Sequence, residues 1–104
     1  MDNKLQFKGT IVKVDELNIV SEKFRKQNVI VKCHYQVTNG TITHYFVLTA
    51  LNMLTDVTNN FKEGDEVEGD FRVKGNRFSI DEGKYKYMNH LDIMSIKKIS
   101  DEKI

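Results

Sequence analysis

Between Lys23 and Thr55 the chain runs 33 residues with no Asp or Glu, although 15 carboxylates are spread over the rest of its 104 residues. Phe24, Arg25, Lys26, Lys32, His34, Tyr45 and Val47 all stand in that stretch. Lysine and arginine neutralise phosphates, a nearby carboxylate repels them, and aromatic rings stack on bases. Together these residue types can hold a polyanion with exposed bases, without making or breaking a bond. A second basic and aromatic group, Lys74, Arg77, Phe78, Lys84 and Lys86, lies further along. It follows an acidic run in which residues 56–70 carry six acids against Lys62 alone. Positive charge is therefore segregated, which matters because the net charge is only +1 and the chain as a whole is no polycation.

Other chemistries fit less well. Cys33 and His34 are adjacent, but strand alternation sends them to opposite faces, so they do not form a nucleophile–base pair. No Cys-x-x-Cys or His-x-x-x-His spacing brings Cys33, His34, His44 and His90 into a metal site. Gly64 and Gly69 have the spacing of a phosphate loop, but Asp70-Phe71 stands where Lys-Ser/Thr is required. The sequence assigns no catalytic residue, no metal and no cofactor, and it reads as non-enzymatic.

The class of protein follows from composition. Apolar residues make up 39% and charged residues 30%, which suits one folded globular domain. We expect that domain over residues 1–99 and a frayed tail over 100–104. A single cysteine excludes an internal disulfide, no apolar run reaches the roughly 18 residues of a membrane span, and the first residues lack an apolar signal core. A cytoplasmic protein with no membrane partner is expected.

The elements that must position these residues are mostly strands. Leu5, Phe7, Gly9 and Ile11 alternate with polar residues; then Val12 and Val14 change parity, which predicts a bend or bulge beside Gly9. Residues 15–27 read as a long loop. Val29, Val31, Cys33, Tyr35 and Val37 share one parity, and Asn39-Gly40 predicts a type I′ hairpin turn. That turn pairs Tyr35 with His44, Cys33 with Phe46 and Val31 with Leu48 on a core side that includes Tyr35 and His44. It leaves Lys32, His34, Tyr45 and Val47 outside. Leu51, Leu54, Val57 and Phe61 predict a helix of about three turns over 50–61. Val67, Gly69, Phe71 and Val73 predict a fourth strand, residues 75–84 a loop, and Leu91, Ile93, Ile96 and Ile99 the core side of a fifth.

Five strands with a helix between the third and fourth is the order of an all-β OB-fold barrel. That fold binds oligonucleotides or oligosaccharides over strands 2 and 3 and the loops joining strands 1–2 and 4–5. Three short motifs then resemble one family: Phe24-Arg25-Lys26-Gln27, Phe61-Lys62-Glu63-Gly64-Asp65, and Gly83-Lys84-Tyr85-Lys86-Tyr87. They are similar, in order, to the OB-fold single-stranded-DNA-binding-like proteins of bacteria and phages. The chain departs from better-known members in having no tryptophan and no long acidic tail. The resemblance implies binding of single-stranded DNA with little sequence preference, in replication, recombination or repair, compatible with homo-oligomers and with replication or repair proteins as partners. RNA binding by the same face, and a protein-interaction OB module, stay open as alternatives.

Overall fold

The computed structural model describes residues 4–99; the tail expected to fray, 100–104, lies outside the described residues. The element order is β1 (Lys4–Val14), β2 (Asn18–Ser21), β3 (Phe24–Val37), β4 (Gly40–Leu51), α1 (Leu54–Thr58), β5 (Glu66–Asp81) and β6 (Lys84–Lys98).

β1 closes the barrel because two neighbours share it. Lys4–Thr10 pair antiparallel with β5, and Thr10–Val14 pair antiparallel with β3. The register shifts between Ile11 and Lys13, and past this bulge Val14 packs against the core. This is the change of face expected beside Gly9. A Cβ on Gly9 would come within 2.8 Å of Val31 Cγ1 and 2.9 Å of Cys33 Sγ, so β1 can pass this close to β3 only with glycine there. On the opposite side β4 meets β6 in parallel, with Thr49 beside Asp92. The ring runs β1–β3–β4–β6–β5–β1, a closed five-stranded all-β barrel with OB-fold connectivity. β2 is a short extra strand on β3, and the one helix among the described residues falls between the third and fourth barrel strands.

Alternation fills the barrel. Phe7, Ile11, Val29, Val31, Leu48 and Val67 are buried inside, joined by Phe71, Ile93 and Ile96. The Phe71 ring lies 6.0 Å from Phe7 and 5.9 Å from Phe46, centroid to centroid. Each such aliphatic or aromatic side chain contributes about 1.5–3 kcal/mol by leaving water.

The β3–β4 hairpin is two residues out of the expected register. Val37 pairs with Gly40, Cys33 with His44, Val31 with Phe46 and Val29 with Leu48. Because side chains repeat every two residues, the shift keeps every residue on its expected face. Thr38-Asn39 form the tip, and the positive φ falls on Gly40, at 145°; the type I′ turn, which needs positive φ at both tip residues, does not form. The buried pairs near the barrel decide the register, outweighing a local turn preference.

Other expectations are corrected where sheet extends beyond the core. Residues 75–84 are no loop: β5 continues to Asp81, turns at Glu82-Gly83, and returns as β6. Within 15–27, β2 folds back on β3, pairing Asn18 with Lys26 and Ile19 with Arg25. Tyr35, His44 and Val73 were expected inside and are exposed, because both hairpins run past the end of the barrel. The radius of gyration, 15.9 Å, exceeds the roughly 13 Å of a compact domain of this length for the same reason. Leu5, at the start of β1, is also exposed.

The helix is shorter than the apolar stripe suggests. Ala50 and Leu51 belong to β4, and α1 covers only Leu54–Thr58. β-Branched Thr55, Val57 and Thr58 are weak helix formers. Thr55 and Thr58 are the buried residues of the helix, and both hydroxyls are satisfied: Thr55 donates to Asn52 O and Thr58 to Gln27 Oε1, each at 2.6 Å. Leu54 and Phe61 pack on the core, while Val57 is exposed.

Candidate nucleic-acid interface

The outer face of β3 and β4 continues across β6 to β5, and a groove of about 630 Å³ lies along it. Phe24, Lys26, Tyr45, Val47 and Lys74 line this groove, so five expected site residues from three strands meet in one place. Tyr45 is 63% exposed and Phe24 37%, which leaves ring area for a planar ligand. Phe24 opens β3 directly after the β2–β3 turn, and pairing with Ser21 fixes its backbone. Lys32 stands opposite Tyr45 and Ile30 opposite Val47. His34 continues the same face, where its Nδ1 and Thr43 Oγ1 are 2.9 Å apart.

Arg25 is placed differently. Its guanidinium donates to Asp56 Oδ1 and to Asn52 O, each at 3.1 Å, and its own N–H donates to Asn52 Oδ1. Alternation sets it on the opposite face from Phe24 and Lys26. It ties β3 to the segment that leads into α1.

On the β5–β6 arm, alternation divides the second group. Lys74, Phe78 and Lys86 share the outer parity, with Phe78 directly opposite Lys86. Arg77 lies on the other face, its guanidinium 4.5 Å from the centre of the Tyr85 ring, a cation–π contact. Lys84 follows the turn and pairs with Asp81.

Asp92, in β6, lines the groove and was not foreseen. Asp92 is only 5% exposed, although alternation puts it on the outer face. Its Oδ2 lies 3.1 Å from Lys74 Nζ without the geometry of a hydrogen bond, so the contact is ionic. In sequence, an acid between Leu91 and Ile93 reads as an ordinary solvent-facing strand residue. Its burial comes from the long-range meeting of β4 with β6, which leaves no local signal. Asn28 and Thr49, whose hydroxyl donates to Asn28 Oδ1 at 2.9 Å, also line the groove and were not singled out.

A larger opening of about 750 Å³ lies between β1, the β3 tip and the β5–β6 base. Glu68 and Asp70 line it together with Lys8, Lys97 and the expected site residue His34, and Lys97 Nζ lies 3.4 Å from Glu68 Oε2, so its lining is of mixed sign and lacks the segregated positive charge a polyanion needs. Cys33 is buried, and burial pushes its thiol above the ordinary value, the opposite of what a nucleophile needs. The Tyr35 residue is 41% exposed, yet partial loss of water around its hydroxyl raises that group too, with Cys33 adding to the effect.

The model of the family described as a domain of unknown function, DUF3127, matches residues 6–97. The chain belongs to the DUF3127 family. That match takes in the whole groove and both hairpins of this DUF3127 barrel. No curated protein matches the chain. Among the described residues no helix is long and apolar enough to cross a membrane.

Proposed function

We propose that this DUF3127 protein binds single-stranded DNA, non-enzymatically and with little overall sequence preference, along the outer face of β3 and β4. Phosphates pass Lys26, Lys32 and Lys74 while bases stack on Tyr45 and Phe24. Phe78 and Lys86 extend the path onto the arm. The observation that carries this reading is the pairing of exposed rings with lysines on one face. The one carboxylate among the described residues that line the groove is buried beside a lysine. The resemblance of the three short motifs to single-stranded-DNA-binding-like proteins supports the same reading.

Fluorescence anisotropy of a labelled, mixed-sequence single strand across a salt series tests it. Log affinity is expected to fall linearly with log salt, with a slope of about −2 if three lysines each neutralise a phosphate. An RNA strand of the same sequence, run in parallel, reports whether the 2′-hydroxyl matters. Absence of binding at low salt overturns the proposal and leaves the protein-interaction module as the better reading.

A further inference from the structure

Asp92 is the unusual group in a groove otherwise suited to phosphate. A buried carboxylate repels a polyanion, so a site that only tracked the backbone would do better with an amide or an aliphatic side chain here. Among the described residues its Oδ2 has no hydrogen-bond partner, and the Lys74 ammonium lies 3.1 Å away. A buried acceptor in that state gains from any donor that reaches it. Lys74 is about half exposed, with 47% of its side chain in solvent, so a passing phosphate can reach it from the groove. Tyr45, Val47 and Phe24 line the same groove and offer a base a stacking surface within it.

We infer that Asp92 is a base-reading residue: it accepts a hydrogen bond from the exocyclic amino group of a nucleobase stacked in the groove, while Lys74 moves to the phosphate. This rests on the proposed binding of single strands and deepens it to one subsite. Cytosine, adenine and guanine carry such an amino group. Thymine and uracil present a single ring N–H flanked by two carbonyl oxygens, which a carboxylate repels. Within weak overall sequence preference, one position then disfavours thymine. The general pairing of a carboxylate with cytosine N4 follows the same chemistry.

Anisotropy with labelled oligo-dC and oligo-dT of equal length, at one salt concentration, tests the assignment in the wild type, in Asp92→Asn and in Lys74→Gln. The wild type is expected to favour oligo-dC by roughly fivefold to a hundredfold, the range of one well-formed base contact. In Asp92→Asn the amide can donate as well as accept, so the ratio falls towards one; thermal unfolding checks that the variant folds. Lys74→Gln leaves the carboxylate in place, so it is expected to weaken both tracts, lower the salt slope and keep the dC preference. Binding of both tracts with a wild-type ratio of one, or with a ratio unchanged by Asp92→Asn, overturns the base-reading role alone. Binding of neither tract at low salt overturns the single-strand reading and this role with it.

Discussion

Lys32 and Tyr45 face each other directly across β3 and β4, on the outside of the barrel. A cation and an exposed ring at opposed positions can engage a phosphate and its base together, and the two-residue register shift is what aligns them. Tyr45→Ala is expected to weaken binding of a single strand by about 1–3 kcal/mol. The ring is 63% exposed, so the thermal midpoint should hardly move. Unchanged affinity in the variant would shift the stacking role to Phe24 and the arm.

Arg25 and Lys26 are neighbours with opposite assignments. Lys26→Ala is expected to reduce the magnitude of the salt slope by about 0.7, the loss of one phosphate contact on a single strand. Arg25→Ala removes two side-chain hydrogen bonds to Asp56 and Asn52 and is expected to lower stability by about 1 kcal/mol, with the salt slope kept. The ion pair to Asp56 is solvated, with 33% and 68% of the two side chains exposed, and adds little. A salt slope lowered by Arg25→Ala would return that residue to the interface.

Where one side of a strand is buried, alternation made the fold legible. Phe7 and Ile11, Val29 and Val31, and Ile93 and Ile96 are core residues as their spacing predicts, and the order of strands around one helix gives the barrel. The β5–β6 arm was less legible because both of its faces meet solvent. Arg77 and Ser79 display no apolar residue at the inward parity, so the part of β5 beyond Lys74 reads as a break. The helix stripe misled for another reason: Leu51 is apolar because it closes β4, not because it faces a helix partner. In the candidate site, the carboxylate-free stretch pointed to Lys26, Lys32 and Tyr45, which the structure places on one face. It could not show that Asp56 occupies Arg25, nor that β4 beside β6 buries Asp92, because both contacts are long-range.

Gln27, only 2% exposed, holds the helix region to the barrel. Its Nε2 donates to Asp15 O and Asn59 Oδ1, each at 2.9 Å, and its Oε1 accepts from Thr58. Gln27→Met fills much of the space and leaves the buried Thr58 hydroxyl without its acceptor. A loss of about 1–3 kcal/mol is expected for that group, read as a lower urea midpoint with an unchanged slope. Adding Thr58→Val removes the orphaned hydroxyl, so the double variant should be more stable than the sum of the single losses predicts. Strict additivity would show that the Gln27–Thr58 bond contributes nothing.

Asp65 links stability to pH. Its Oδ2 accepts from the Lys62 backbone N–H at 2.9 Å, and Lys98 Nζ lies 3.5 Å from Oδ1. The Lys62 N–H first, and Lys98 after it, hold this carboxyl below its usual range. The surrounding turn is fixed to β1, where Ile11 N–H donates to Asp65 O and Gly64 N–H to Ile11 O. A carboxyl lowered on folding binds fewer protons in the native state than in the unfolded chain. Its stabilisation is therefore present above the ordinary carboxylate value near 4 and is lost as pH falls through the lowered native value. Asp65→Asn should be less stable than the wild type at neutral pH, and the gap should close as pH falls below about 4. Urea midpoints measured for both proteins between neutral and strongly acidic pH test this. A gap that stays constant across that range would show that the turn depends on the shape of the side chain and not on its charge.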